Sequence, residues 1–361
     1  MDAWPQTAST DAPASRRDPG GSSASIHTTR LRAAVIGLGV GRQHIKAYDA
    51  HPACAVTTLC DISPTKRGEL SQQYPELDIV ADPRVVLSDP AIDVVSIASY
   101  DDAHAEQIVL ALEHGKHVFV EKPLCLDIEE LRKVRAILRQ RPQQRLSCNL
   151  ILRLSPRFQL VRQMIRRGRM GRLFHVEGEY NYGRLHKLTQ GWRGRVHNYS
   201  VVLGGAVHLI DQLLWLTGER IVQVAAFGNG IGTAGSAFAG HDMTAALLRF
   251  DSGMTGTVTA NFGCVRPHGH GLTICGTEAT FVNDDPHGRL YTSRDASSSP
   301  QIITAAHPGA AKGDLIGNFL DSILGCAKPQ ITPREVFETM FVCLAIQRAQ
   351  REQRIVEVEY E

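Results

Sequence analysis

The sequence predicts an α/β protein: a doubly wound parallel sheet in the first half, followed by a second α/β region richer in strands. Two observations carry the first half. From Leu31 to about residue 150, short apolar runs alternate with helical stretches, as they do when crossover helices join parallel strands. A glycine-rich turn also closes the first apolar run and opens the first helix. The second half rests on a change of rhythm, to period-2 alternation and a hairpin signal. With 361 residues and about 150 residues per domain, two folded units are expected, over 30–150 and 151–361.

Residues 1–29 are rich in Ala, Ser, Thr, Asp, Pro and Gly. Such a segment has too little apolar surface to offset its ordering entropy, so a disordered tail is expected. Arg16-Arg17 is followed by Asp18-Pro19-Gly20-Gly21-Ser22 rather than by the apolar core of an export signal. A cytoplasmic protein is therefore expected.

Leu31 to Ile36 reads as a buried strand that breaks at Gly37, with a helix from Gly41 to Ala50. Ala55 to Cys60 is a second strand ending at Asp61. Ser63-Pro64 then starts a helix in the preferred order of cap and first helical residue. Asp93 to Ala98 is a strand, followed by a helix through Glu113 that Gly115 stops. His117 to Val120 is the next strand. Asp127, with Glu130 three residues on, caps a further helix, and Leu146 to Asn149 is a short strand. In the second half, His175 to Tyr180 alternates as a half-buried strand. Asp251-Ser252-Gly253 separates two β-rich runs, Thr244 to Phe250 and Met254 to Phe262, as in a hairpin. Helices are expected over 312–324 and 333–350.

Composition excludes several functions. Lys and Arg number 39 against 37 Asp and Glu, a net charge of +2. This balance gives no general attraction to nucleic acid or to an anionic membrane. No apolar run reaches the roughly 18 residues that would span a bilayer. The eight cysteines are scattered without a C-x-x-C pair, so zinc and dithiol motifs are unsupported and no metal is expected.

The turn Gly37-Leu38-Gly39-Val40-Gly41-Arg42 is close to the dinucleotide fingerprint G-x-G-x-x-G, with Arg42 at the third glycine place and Gly41 one place early. The first glycine permits the tight turn, and the second lets a pyrophosphate approach the backbone at the helix N-terminus. Asp61 follows Gly37 by 24 residues and ends the second strand. An acid there accepts from ribose hydroxyls and repels a 2′-phosphate. No arginine follows it directly, so NAD is expected rather than NADP.

The stretch Ala111-Leu112-Glu113-His114-Gly115-Lys116-His117-Val118-Phe119-Val120-Glu121-Lys122-Pro123-Leu124 resembles the glucose–fructose oxidoreductase / inositol dehydrogenase / rhizopine-catabolism (Gfo/Idh/MocA) family. The resemblance continues at Gly204-Gly205-Ala206-Val207-His208-Leu209-Ile210-Asp211 and at Asn318 to Ile323. It implies a Rossmann domain, then an α/β domain with a large open, mostly antiparallel sheet whose face mediates homodimer or homotetramer contacts. It implies an NAD-dependent dehydrogenase acting on a secondary alcohol of a small carbohydrate: a sugar, a sugar derivative or a cyclitol. Lys122, at a strand end, then lies near nicotinamide and substrate as a proton carrier, with Glu121 orienting it. His208 takes the substrate hydroxyl proton, with Asp211 orienting it or holding the helix. Cofactor contacts are expected from Gly37, Leu38, Gly39, Val40, Gly41, Arg42, Asp61, Ser99, Tyr100, His104, Glu121 and Lys122.

The polar, aromatic stretch from Tyr180 to Tyr199 falls where the family binds substrate. Tyr182, Arg184, Trp192, Arg193 and His197 are its expected contacts, together with Arg153, Lys122, His208 and Asp211. Aromatics stack on sugar rings and arginines hold carboxylate or phosphate, which suits a nucleotide sugar, a sugar phosphate or a uronate. There are departures from the family pattern. Gly204 stands where many members carry an aspartate that completes the proton relay. That leaves the work to Lys122 alone or to a tyrosine, Tyr182 or Tyr199. Tyr100-Asp101 stands where the family often has Pro-Asn. The missing acid keeps a second reading open, a catalytically reduced NAD-binding regulator or scaffold.

Overall fold

Six parallel strands build the first sheet in the computed structural model, which describes residues 30–197, 199–283 and 286–361. The expected disordered tail over 1–29 lies outside the described residues. The strands are β1 (Leu31–Ile36), β2 (Cys54–Cys60), β3 (Asp78–Val80), β4 (Val94–Ile97), β5 (His117–Val120) and β6 (Leu146–Cys148), in the order β3-β2-β1-β4-β5-β6. Helices α1 (Gly41–Asp49), α2 (Pro64–Gln73), α3 (Pro83–Ser88), α4 (His104–Glu113) and α5 (Ile128–Gln140) connect them. Ala33 to Ile36 and all of β4 are buried, because helices cover both faces of the sheet. Helix α1 buries Gly41, His44, Ile45 and Tyr48, one stripe at helical spacing.

The predicted caps form. The Ser63 hydroxyl accepts from the Lys66 amide, and the Asp127 carboxylate accepts from the Glu130 amide. The return bond of the second cap is displaced by one residue, since Glu130 accepts from the Leu126 amide. Sequence reading missed β3 and α3. Asp82-Pro83 caps α3 in the same order as Ser63-Pro64, so the signal was present, but β3 has only three residues and none is buried.

The second sheet has nine strands: β7 (Leu173–Asn181), β8 (Ile221–Asn229), β9 (Met243–Phe250), β10 (Thr255–Asn261), β11 (Gly269–Gly276), β12 (Thr280–Asn283), β13 (Gly288–Tyr291), β14 (Gln301–Ile303) and β15 (Val356–Glu357). Their order is β14-β13-β12-β11-β7-β10-β9-β8-β15. Strands β7 and β10 pair in parallel and the other pairs are antiparallel. The expected hairpin joins β9 to β10, with Leu247 opposite Thr257 and Gly253 at φ 87° in its turn. Helices α6 (Pro156–Arg166), α7 (His186–Thr189), α8 (Val207–Thr217), α9 (Asp314–Ile323) and α10 (Pro333–Glu352) complete the fold. Helix α8 lies on the inner face of the sheet, where a Cβ at Gly178 would stand 3.2 Å from Leu209. Helix α10 packs on β8 and reaches back to α5 and β6 of the first sheet. The ends of β4 and β5 thereby meet the segment between β7 and α8.

Candidate active site

The turn after β1 is built for close approach. Gly37 has φ 87°, and a Cβ on it would stand 2.2 Å from the Ala98 carbonyl oxygen. A Cβ at Gly39 would meet nothing nearer than Lys66 Nζ at 3.9 Å, so its face is open. Among the described residues, the Gly39 and Val40 amides donate to no protein group. Open space at a glycine, free amides and a following helix N-terminus fit a pyrophosphate.

Asp61 is buried at the end of β2. Its carboxylate accepts from the Leu38 amide at 2.8 Å, the Ser63 amide at 2.8 Å and Lys66 Nζ at 3.1 Å. Burial opposes its ionisation, but those donors hold its carboxyl below the usual carboxylate range. It therefore ties β2 to the glycine turn. The cations that sequence proximity left out are here, since Arg67 also donates to the Asp61 carbonyl. Arg42 donates to the Leu38 carbonyl at 3.1 Å and pairs with Glu69.

Lys122 follows β5, and its bond to Pro123 is cis. Its Nζ donates to the Gly204 carbonyl at 2.8 Å, bridging the two halves of the chain. Burial pushes its pKa below the ordinary lysine value, helped by Arg193 and Lys312 and opposed by Asp101 and Glu121. Glu121 hydrogen-bonds Asn149 at 2.8 Å and lies 3.3 Å from His44 Nε2. Despite burial, His44 and Asn149 bring its pKa down to about 2. Its bonds thus run to the first sheet and not to Lys122.

Gly204 lies in a single π-helical turn, residues 202–206, that leads into α8. Such turns reposition side chains near sites. His208 follows, with its Nδ1 buried and without a hydrogen-bond partner. Burial holds its pKa well below the ordinary histidine value, with Lys122, His270 and His268 adding to the shift. Its ring stacks on Tyr180 at 6.3 Å and meets His270 edge-on at 6.3 Å. Tyr182 joins this cluster against Phe262 at 4.6 Å and His268 at 5.2 Å, and the Arg184 guanidinium stands 5.1 Å above the Tyr182 ring.

Between β7 and α8 the chain crosses to the first sheet. Trp192 stacks on Tyr100 at 4.9 Å, past the end of β4, and Arg193 lies 4.5 Å over the Trp192 ring. Beside them Asp101 is buried, and burial raises its carboxyl pKa against the pull of Lys122, His104 and Arg193.

Five expected site residues are engaged within the protein or stand apart from the cluster. Arg153 and Asp211 are buried and bonded to each other, with 3.0 Å from Arg153 Nε and 2.6 Å from its terminal nitrogen. Arg153 also pairs with Glu335 at 2.6 Å. This ion-pair network locks α8 to α10, which is the second of the two roles expected of Asp211, and it engages Arg153 within the protein. His104 is fully buried and bridges the Pro123 carbonyl at 2.7 Å and the Ser99 carbonyl at 3.4 Å, so it shapes the Lys122 loop. His197 is exposed and joins none of the site groups. The Ser99 hydroxyl donates to Gln107 at 2.9 Å. Sequence reading did not single out His268, His270 or Lys312, and it named Asp101 only as a departure. Their convergence joins separate segments around residues 101, 268–270 and 312, which no local pattern encodes.

A glycine cradle at the end of β1, with a buried lysine following β5 of the same sheet, is the arrangement of a dinucleotide-dependent oxidoreductase. Residues 31–149 match the family model described as oxidoreductase family, NAD-binding Rossmann fold, and residues 158–282 match the GFO/IDH/MocA C-terminal domain. The protein belongs to the GFO/IDH/MocA oxidoreductase family, and its first domain is an NAD-binding Rossmann fold. It is 29% identical to scyllo-inositol 2-dehydrogenase (NAD(+)) of Bacillus subtilis (strain 168), over 76% of this chain and 80% of that protein. It is 23% identical to D-apiose dehydrogenase of Paraburkholderia graminis, over 91% and 90%. In fold it matches levoglucosan dehydrogenase in complex with NADH and levoglucosan, with TM-score 0.81, 21% identity, and 92% of this chain and 100% of that one covered. It also matches scyllo-inositol dehydrogenase from Lactobacillus casei with bound NAD(H) and scyllo-inositol, with TM-score 0.76, 20% identity, and 91% and 99% covered.

Proposed function

We propose that the protein is an NAD-dependent dehydrogenase acting on a secondary alcohol of a sugar, sugar derivative or cyclitol. The observation that carries this reading is Lys122, whose Nζ stands at a strand end against the Gly204 carbonyl. The open ends of such strands are where α/β sheets place ligands. The glycine turn and Asp61 hold the dinucleotide. When bound, NAD supplies the two-electron hydride acceptor. Lys122, with its pKa lowered by burial, takes the alcohol proton as the free amine and returns it in the reverse direction. His208, neutral beside it, accepts or donates a hydrogen bond at the same oxygen.

The names of the relatives support a neutral polyol or sugar as substrate. Lys122 and Arg193 beside Asp101, with Lys312 beside Lys122 and His208, favour including acidic derivatives among the candidates. Asp61 supports a preference for NAD over NADP. The test is a screen of inositols, levoglucosan, apiose, sugar phosphates, uronates and nucleotide sugars with each cofactor, following the reduced cofactor by absorbance. Turnover with one of them and NAD is expected. NADH binding without turnover of any would favour the regulator reading, and stronger turnover with NADP would remove the role given to Asp61.

A further inference from the structure

Gly204 leaves no room for a side chain. A Cβ there would stand 2.0 Å from the Tyr199 hydroxyl oxygen and 2.7 Å from its Cζ. The phenol therefore occupies the volume that any larger residue at 204 would need. The other side of the same residue is engaged by Lys122, through the Gly204 carbonyl at 2.8 Å. Two polar groups from distant segments thus flank one glycine.

The Tyr199 hydroxyl is buried; the Arg193 guanidinium reaches it and can only donate, so the phenol's own proton has no acceptor within the protein. Buried hydroxyls are ordinarily bonded, and a proton left over calls for an explanation. Its direction is set by ring packing, edge-on to Trp192 and to Phe238, each at 6.4 Å. Trp192 is in turn stacked on Tyr100 of the first domain. A hydroxyl aimed by its ring, with no protein acceptor for its proton, is a preorganised donor.

We propose that Tyr199 is a further catalytic group of this site: its hydroxyl donates a hydrogen bond to the reacting oxygen of the substrate, alongside Lys122. The proposal rests on the dehydrogenase reading. Charge divides the work between the two groups. Burial drives the Tyr199 phenol well above its ordinary pKa, so it keeps its proton and acts as a donor. Burial drives Lys122 the other way, so it can be the acceptor. In alcohol oxidation the hydroxyl proton passes to the Lys122 lone pair, the hydride leaves the carbon for the cofactor, and the C–O bond becomes C=O. No bond to Tyr199 breaks; its hydrogen bond stabilises the oxygen throughout. Arg193 and Asp101, both electrostatically coupled to the phenol, balance the charge around it.

The test uses Tyr199→Phe, which keeps the ring and removes only the hydroxyl. On the leading substrate kcat should fall by about 10- to 100-fold, the scale of losing one aimed donor. NADH affinity by fluorescence titration and Tm should stay near wild type. Tyr199→Phe with kcat within twofold of wild type would overturn the proposal, because ring packing alone would then explain the residue. A stability cycle checks the geometry without relying on activity. Gly204→Ala should lower Tm clearly in the wild-type background and far less in Tyr199→Ala. Equal losses in both backgrounds would also overturn the proposal. Wild-type protein that turns over no substrate would overturn the dehydrogenase reading itself and this role with it, a result distinct from an active Tyr199→Phe.

Discussion

Lys122 sets the pH dependence expected at this site. It accepts a proton only as the free amine, and its pKa lies below the ordinary value of 10.5. For alcohol oxidation, kcat/KM should therefore rise with pH and level off before a free lysine would have lost its proton. The reduction direction should fall over the same range. His208, His268 and His270 all sit below 6.5, and Tyr199 sits above 10, so neither shares that limb. In Lys122→Ala the limb should vanish and turnover should drop by about 10²-fold or more, while NADH still binds within a modest factor. A pH–rate profile of both proteins checks this, and a limb that persists in the variant would assign it elsewhere. Lys122 and His208 were singled out through the family resemblance, and Lys122 bonds the turn that leads to His208. The bonding of Arg153, Asp211 and His104 was not legible in the sequence, because a polar residue near a motif does not announce its partner. Here the partners are a buried carboxylate, a buried guanidinium and two backbone carbonyls.

At the scale of elements, the β1–α1 turn holds the cofactor end of the site and permits little substitution. Gly37→Ala brings a Cβ to 2.2 Å from the Ala98 carbonyl at a φ of 87°, a conformation alanine resists. NADH affinity should fall by about tenfold or more, with a loss of Tm of about several degrees, read by fluorescence titration and thermal melting. An unchanged affinity would mean that the turn can open without harm. Five of the six strands of the first sheet were legible because they are apolar runs alternating with capped or glycine-stopped helices; β3, three residues with none buried, was not. The π-helical turn over 202–206 was not, because its glycine, alanine and aliphatic residues suit an ordinary helix start equally well. Strands β11 to β14 were also missed. β12 to β14 run only three or four residues, with Arg289, Gln301 and Ile302 exposed, and β11 opens on Gly269-His270-Gly271.

For the molecule as a whole, the outer face of the nine-stranded sheet bears on assembly. Phe227 is 72% exposed and Leu247 64% exposed, on neighbouring strands whose pairing puts Phe227 opposite Ala245 and Leu247 opposite Ala225. Contiguous exposed apolar side chains on a flat sheet mark an association surface. The expectation of a homodimer or homotetramer through this sheet is tested by Leu247→Asp with Phe227→Asp. The double variant should elute as a smaller species in size-exclusion chromatography with light scattering and keep its secondary structure. A wild-type monomer would remove the expectation.

The parallel pairing of β7 with β10 also bears on how the chain reaches its native state. His175 lies opposite Thr255, 80 residues further along. No hairpin can nucleate that contact, and closing so long a loop loses entropy before any of it is regained. The first sheet can assemble from neighbouring βαβ units as they emerge. Strand β7, which carries Tyr180 to the wall of the site, must wait for the β9–β10 hairpin to arrive. The wall of the cleft therefore depends on a pairing of high sequence separation, the kind of contact that slows folding.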